Sequence, residues 1–244
     1  MCIRGRDKIT YILGIAILGF VAWQLIGYIL PDQKGFKDGA TFLSAVVKKS
    51  GGEDRWESIK NLRFDKDFKL YASDGSIEIA RDEHHDYQYE NNHKKMITWQ
   101  KDSLDIMLLQ QDTMYHKYIN TLLDSTATAT GVKASIDAGA FVIGIPFSLI
   151  DGNATLTYLG LTTFQDKEVH NLNVTFAGST DIWYFYYDTT TLDWLGYWVK
   201  TSDHYSLIVN EEFVEVEGFT LPRKRKSYRT DASQKVLYLS LIHI

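Results

Sequence analysis

The stretch DIWYFYYDTTTLDWLGYWV, residues 181–199, is rich in aromatic side chains. It predicts two strands joined by a polar turn, since aromatic runs flank Asp-Thr-Thr-Thr. Successive side chains of a strand point to opposite faces, so Trp183 and Phe185 share one face while Tyr184 and Tyr186 share the other. Both faces are aromatic, and both need cover from another part of the protein. Core packing and the lining of a binding site each explain such a hairpin.

Strand-like runs continue on both sides of this hairpin. Residues 56–118 alternate between apolar and polar side chains, as Leu62 and Phe64 do with Asp65, and turn signals such as Ser-Asp-Gly-Ser separate the runs. Residues 155–238 repeat the pattern. Sequential strands joined by short turns favour an antiparallel meander, and we expect one curved antiparallel β-sheet.

Two segments have helical periodicity instead. The stretch ATFLSAVVKKSGG, which begins at Ala40, places its apolar side chains on one stripe and ends at two glycines. Residues 126–150 repeat apolar side chains at helical spacing, and Pro146 should end or kink that helix. We therefore expect an α+β fold with helices covering the concave face of the sheet. Only one aromatic pair of the hairpin should face the helical insert near Ile143 and Phe147.

The segment YILGIAILGFVAWQLIGYIL, residues 11–30, contains no charged residue. At about 1.5 Å per residue it is long enough to cross roughly 30 Å of hydrocarbon, which predicts a transmembrane helix. Arg4, Arg6 and Lys8 precede it, and the positive-inside preference places that end in the cytoplasm and the chain after Pro31 outside. A cleaved signal peptide is the alternative, although no small-residue cleavage pattern follows the apolar run.

Composition limits the possible functions. The chain has 244 residues, of which 45% are apolar, enough for a globular domain with a sizeable core. Its formal net charge of -5 argues against nucleic-acid binding. Cys2 is the single cysteine, so neither an internal disulfide nor a cysteine-based metal site is expected. No nucleophile elbow, zinc-hydrolase spacing or phosphate-binding loop indicates catalysis, and we expect neither enzyme activity nor a cofactor.

Several short motifs occur in a recognisable order. Gly-Gly precedes Trp56, Asp181 opens a strand as Asp-x-Trp-Tyr, a turn leads into Leu192, and Leu-Pro at Leu221 enters a basic strand. This order resembles exported bacterial families related to the LolA/LolB outer-membrane lipoprotein carriers, over nearly everything after residue 38. The resemblance implies an unclosed half-barrel whose hollow is capped by helices and accommodates acyl chains or other apolar ligands.

The resemblance and the N-terminal segment together predict the organisation of the chain. We expect an inner-membrane, single-pass protein with its C-terminal domain in the periplasm, or a secreted protein if the signal is cleaved. The terminal LSLIHI resembles the translated end of a sequencing adapter and is left out of the fold prediction. The expected segments are 1–10, a cytoplasmic basic tail; 11–30, a transmembrane signal anchor; 31–38, a linker; 39–238, a LolA-like half-barrel domain; and 239–244, the adapter-like end.

The resemblance implies non-catalytic binding of a lipid, an acyl chain or a lipoprotein segment in the bacterial cell envelope. The alternative is a membrane-tethered periplasmic sensor or protein-interaction module with an envelope protein partner, in which side chains would fill the hollow. Membrane contact through the N-terminal helix belongs to both interpretations, and nucleic acid to neither. The expected ligand-binding residues are Trp99, Leu108, Ile143, Phe147, Ile150, Trp183, Phe185, Trp194 and Trp198.

Two charged clusters have both an ordinary and a functional interpretation. RDEHHDYQYE places Asp82, His84 and Asp86 on one strand face, where two groups could share a metal, but a solvated strand end explains them as well and we expect no metal site. PRKRKSYR, residues 222–229, favours a charged edge strand that discourages sheet pairing, with contact to an anionic headgroup as the alternative.

Overall fold

The computed structural model describes residues 35–90 and 93–243. The transmembrane segment predicted at 11–30 and the basic tail 1–10 lie outside the described residues. Within the described ranges, no helix is both long and apolar enough to cross a membrane. The elements are α1 (Gly39–Lys49), α2 (Glu53–Glu57), β1 (Asn61–Tyr71), β2 (Ile77–Gln88), β3 (Lys94–Lys101), β4 (Leu104–Gln111), β5 (Met114–Ile119), β6 (Leu122–Leu123), α3 (Ala129–Gly144), a 3₁₀ turn (Phe147–Leu149), β7 (Ala154–Phe164), β8 (Lys167–Phe176), β9 (Ile182–Asp188), β10 (Trp194–Lys200), β11 (Tyr205–Val216), β12 (Phe219–Thr230) and β13 (Val236–His243).

The described strands form one antiparallel sheet in the order β6-β5-β4-β3-β2-β1-β13-β12-β11-β10-β9-β8-β7. Strands that are consecutive in sequence are neighbours in the sheet, except β6 and β7, which lie at its two ends; β13 also pairs with β1 and so joins the two halves. The two ends of this order, β6 and β7, are the edges, so the sheet is unclosed. The predicted antiparallel, unclosed sheet is therefore confirmed.

One helix contacts both halves of this sheet, which requires the sheet to curve. Gly139 of α3 lies against Tyr87 of β2, and Phe141 packs its ring 5.6 Å from that of Trp183 on β9. Six strand-to-strand steps separate β2 from β9. In a flat sheet they would span about 29 Å, whereas a helix is only about 10–12 Å wide and side chains stand roughly perpendicular to the sheet. The sheet therefore wraps around α3, and this helix lies on its concave face.

The helix α1 covers the concave face at the β7 end of the sheet. Its first turn is capped by Asp38, whose carboxylate accepts a hydrogen bond from the Thr41 N–H at 2.8 Å. Phe42 and Val46, one helical turn apart, are completely buried. They join a core made with side chains of β7 to β10. The amphipathic stripe predicted for this segment thus packs against the sheet.

The aromatic hairpin at 181–199 forms β9 and β10, and its two faces meet different surroundings. Trp183 and Phe185 face the core beneath the helices, where Phe185 is completely buried. Tyr184 and Tyr186 belong to a cluster on the opposite face. One pair alone faces the helical insert, as the period-two pattern predicted, and the structure identifies it as Trp183 with Phe185.

Aromatic side chains of neighbouring strands cover the face away from the helices. Phe164 stacks on Tyr186 with ring centroids 4.4 Å apart, and Trp198 stacks on Tyr205 at 5.4 Å and contacts Tyr184 at 5.5 Å. Tyr186 and Trp198 are buried as a result. At this hairpin the sheet therefore has a core on each face.

The basic segment at residues 222–229 is not an edge strand, and that interpretation was wrong. It lies in β12, which pairs with β11 on one side and β13 on the other. The strand β13 includes residues 239–243, which had been left out of the fold prediction. Leu241 pairs with Leu70 of β1 and with Ser227 of β12, so these residues connect the two halves of the sheet.

Candidate ligand-binding cavity

A cavity of about 1040 Å³ lies between α3 and the concave face of the sheet. Strands β1 to β4 form one wall, and the ends of β11 and β12 form another. Most of the lining side chains are aliphatic or aromatic, so the space suits an apolar group. Six of them are Leu62, Phe64, Ile97, Trp99, Leu108 and Ile143.

Small side chains on α3 keep this space open. Thr128 caps the helix, its hydroxyl accepting a hydrogen bond from the Gly131 N–H at 3.1 Å. Gly131, Ser135 and Ala138 follow at helical spacing and line the cavity; we call them the small-residue stripe. Ile136, on a neighbouring face of the helix, is completely buried against the sheet. Ile136 therefore anchors the helix to the sheet, while the small-residue stripe borders the cavity.

A buried carboxylate organises the charged part of the wall. Glu83 accepts hydrogen bonds from Lys66 Nζ at 2.8 Å, Arg81 Nη1 at 3.0 Å and His85 Nε2 at 3.1 Å. Burial opposes ionisation of Glu83 more than any single neighbour favours it, but the hydrogen bond from His85 and the charge and hydrogen bond of Lys66 lower its pKa to about 2. Glu83 is therefore ionised at neutral pH and fixed by its donors.

The histidine of this group is neutral, and both of its ring nitrogens form hydrogen bonds. Burial lowers the pKa of His85, against the opposing effect of Glu83. Since ionised Glu83 only accepts hydrogen bonds, His85 Nε2–H donates to it and Nδ1 accepts from the Tyr87 hydroxyl at 2.8 Å. Burial also raises the pKa of Tyr87, which keeps that hydroxyl protonated. Both ring nitrogens of His85 are thus occupied by neighbouring side chains.

Cations of the same wall lie over aromatic rings that face the cavity. The Arg81 guanidinium is 4.4 Å from the Trp99 ring centroid and 5.2 Å from that of Phe68, and Lys66 Nζ is 4.5 Å from the Phe68 centroid. Cation–π contacts of this kind stabilise a charge that has lost part of its water. The apolar wall consequently contains fixed positive charges.

The structure brings some of the expected site residues to this cavity and places others elsewhere. Trp99, Leu108 and Ile143 line it. Trp183 lines a separate cavity of about 290 Å³. The remaining five border neither: Phe147, Phe185 and Trp194 are in the core, Trp198 is in the cluster on the opposite face, and Ile150 is 42% exposed.

Sequence reasoning missed the contribution of β1 and β2 to the cavity. Leu62, Phe64 and Lys66 line it from β1, and Glu83 and His85 line it from β2. The alternation in β1 placed Leu62, Phe64 and Lys66 on one face, so the signal for their shared orientation was present. The sequence signal for a hollow on that face was the small-residue stripe of α3. Its side chains are too short to fill the space between the helix and the large side chains of the strands.

An unclosed antiparallel sheet, curved round a helix and enclosing a mostly apolar cavity, defines the class of fold. No protein-family model matches this chain, and no curated protein matches it in sequence. Solved structures do match. A LolA superfamily protein from Nitrosomonas europaea has a TM-score of 0.52 and 9% identity, covering 82% of this chain and 89% of its own. A domain provisionally named for outer membrane lipoprotein sorting, from Vibrio parahaemolyticus, has a TM-score of 0.51 and 8% identity, covering 84% of this chain and 88% of its own. The resemblance predicted from the sequence is confirmed as one of fold, and the chain has a LolA-like fold.

Proposed function

We propose that this protein binds an acyl chain of a lipid or lipoprotein, without chemical turnover, in the cell envelope. The observation that carries the proposal is the cavity of about 1040 Å³ with mostly apolar walls. Ligand cavities in proteins span about 300–1,000 Å³, so this space holds a large ligand. Each buried methylene contributes about 0.8 kcal/mol, and ten of them give about 8 kcal/mol, the free energy of a micromolar complex before ordering costs are subtracted.

The polar cluster of the cavity wall supports binding over catalysis. A general base works best with a pKa near the operating pH, whereas the pKa of Glu83 is about 2. Both ring nitrogens of His85 are hydrogen-bonded within the wall. These groups therefore suit a role in shaping the wall and setting its charge.

The envelope location is part of the proposal. It rests on the apolar segment predicted at 11–30, which would export the domain, and on the name of the V. parahaemolyticus domain with the same fold. The alternative, a sensor or protein-interaction module, predicts a hollow filled by side chains. The cavity beside α3 favours a ligand in that place.

The first test is native mass spectrometry of the full chain extracted in detergent, which we expect to show a copurifying lipid. A fluorescent fatty acid should then bind the delipidated protein. Ala138→Trp, in the small-residue stripe, should fill the cavity and weaken that binding at least tenfold. Ala134→Trp is the matched control, because Ala134 is exposed on the same helix and does not line the cavity. A delipidated wild-type chain that retains no lipid and binds no probe would overturn the proposal.

A further inference from the structure

Arg225 is a buried cation with no counter-charge among the described residues. It lies on β12, is 7% exposed, and borders the cavity. Its guanidinium is 5.1 Å from the Trp194 ring centroid, and it makes no hydrogen bond or ion pair with any residue in the described ranges. Burial lowers its pKa to about 10, which still leaves it protonated at neutral pH.

Such an arrangement is costly in the absence of a ligand. A buried charge destabilises a fold unless it is paired and hydrogen-bonded, and a guanidinium has five N–H donors to satisfy. Asn210 lies opposite Arg225 in the strand pairing, but its Nδ2 donates to the Trp194 carbonyl at 2.7 Å, and a neutral amide supplies no counter-charge. The donors of Arg225 are therefore available to a group that enters the cavity.

The neighbours of Arg225 on β12 show that its lack of a partner is specific to the cavity face. Lys226 pairs with Glu211 at 2.6 Å, and Lys224 lies within 3.7 Å of both Glu211 and Glu212. The alternation of the strand thus separates the basic run, with paired lysines on one face and Arg225 on the other. Arg223, two residues from Arg225, also borders the cavity and has no ion pair with a described residue.

The charge of the lining is opposite to that of the chain. Six basic and two acidic side chains border the cavity, a formal charge of +4, although the net charge of the protein is -5. Lys66 and Arg81 share Glu83, while Arg63 is paired with Asp86 and Lys117 with Asp124. Among the described residues, the lining cations without any carboxylate partner are therefore the two on β12. The basic residues counted are Arg63, Lys66, Arg81, Lys117, Arg223 and Arg225, and the acidic ones are Asp65 and Glu83.

We propose that the ligand is an anionic amphiphile, whose carboxylate or phosphate oxygens bind Arg225 while its apolar chain lies between α3 and strands β1 to β4. The inference rests on the proposed function, since it requires a ligand in this cavity. A guanidinium matches the two oxygens of a carboxylate or phosphate with two parallel hydrogen bonds. The aromatic and aliphatic walls receive the rest of the molecule.

The test compares a dansyl-labelled fatty acid with its methyl ester on the delipidated full chain. The two probes share the same apolar chain and differ at the head group, which is a charged carboxylate in one and a neutral methyl ester in the other. We expect the acid to bind at least tenfold more tightly. Arg225→Gln should abolish this preference and leave the affinity for the ester unchanged. Arg225→Lys, which keeps the charge, should retain part of it, and Lys226→Gln on the opposite face should retain all of it. Displacement by lysophosphatidic acid and by an unlabelled fatty acid of the same chain length then separates a phosphate headgroup from a carboxylate.

Each outcome distinguishes the two proposals. If neither probe binds, the proposed function fails. If acid and ester bind equally, or if Arg225→Gln keeps the preference, the anionic ligand is excluded while acyl-chain binding stands. Removing an unpaired buried charge should also leave the melting temperature of Arg225→Gln unchanged or raise it. A large fall in melting temperature would mean that Arg225 is needed for the stability of the fold. Arg223→Gln, at an exposed position on the same wall, would then test the proposal, and it would have to reduce the preference for the acid.

Discussion

Gly139 of α3 faces Tyr87 of β2 so closely that a Cβ on the glycine would lie 2.7 Å from the tyrosine hydroxyl oxygen. The same Cβ would lie 3.2 Å from Cε1 of His85. This contact sets the depth at which the helix packs against the sheet. Above it the small-residue stripe leaves the cavity open, so the position of the helix and the size of the cavity depend on the same glycine.

Gly139→Ala should lower the free energy of unfolding by about 1–3 kcal/mol, the cost of an overpacked contact. Helix propensity alone would favour alanine by about 1 kcal/mol, so a loss of stability identifies the contact as the cause. Urea unfolding of the variant and the wild type measures this difference in the free energy of unfolding. Gly152→Ala, in a turn where nothing lies within 4 Å of a Cβ, is the control for an added methyl group that makes no close contact. In a Tyr87→Phe background, which lacks the hydroxyl, Gly139→Ala should lower the free energy of unfolding by less. An equal loss in both backgrounds would mean that the Tyr87 hydroxyl is not the cause.

The free energy of unfolding should fall as the pH is lowered, in two ranges. The pKa of His85 is below its ordinary value of about 6.5 in the folded protein, so below that pH the unfolded chain binds the proton first and stability declines. The pKa of Glu83 is about 2 when folded and 4.5 otherwise, so its contribution is complete above pH 4.5 and is lost as the pH falls towards 2. Denaturant unfolding at a series of pH values measures both.

Glu83→Gln isolates the lower of these two ranges. It should remove the decline below pH 4.5 and should cost about 3 kcal/mol at pH 7, because Lys66 and Arg81 lose their buried partner. Glu78→Gln, on the exposed part of β2, should change neither quantity. A wild-type acid profile in Glu83→Gln would contradict the role given to this carboxylate.

Local pattern predicted the strands, the helical insert and the alternation of the aromatic hairpin, because each depends only on nearby residues. It did not predict the position of β13 between β1 and β12, since that pairing joins residues far apart in sequence, such as Leu70 and Leu241. The interior position of β12 follows from the same long-range pairing. A run of four basic residues was therefore interpreted as an edge, whereas it alternates between two faces of an interior strand.

The candidate site was predicted less well than the fold, for a related reason. The hydrophobicity of Phe185 and Trp194 predicts that they are buried. It does not show whether they lie in the core or in a cavity wall, because both positions favour an aromatic side chain. The distinction depends on which side chains on the facing helix are small. Trp99 borders the cavity because the small-residue stripe of α3 leaves space on that side, whereas Phe185 packs in the core.

Trp99 should report on ligand binding by its fluorescence. It is half-buried in the cavity wall beneath the Arg81 guanidinium, and a ligand that enters would change both its exposure to water and its contact with that charge. Titration with an unlabelled fatty acid should shift its emission. Trp99→Phe should remove most of the change, whereas Trp198→Phe, in the aromatic cluster on the opposite face, should preserve it. A full spectral change in Trp99→Phe would mean that the ligand does not contact Trp99.

Phe141 is one of the side chains through which α3 contacts the far half of the sheet, with its ring 5.6 Å from Trp183 and 5.8 Å from Phe176. Phe141→Ala should lower the free energy of unfolding by about 2 kcal/mol, less than for a fully buried phenylalanine because Phe141 is only half-buried. Hydrogen exchange should become faster in α3, which loses this contact, and should stay unchanged in β1 and β2. Leu122→Ala, at a side chain 73% exposed, is the control and should change stability by less than about 0.5 kcal/mol. Since α3 is one wall of the cavity, a bound fatty acid should also dissociate faster from Phe141→Ala than from the control. Unchanged protection of α3 would mean that its contacts with β2 to β5 hold the helix in place without the far half of the sheet.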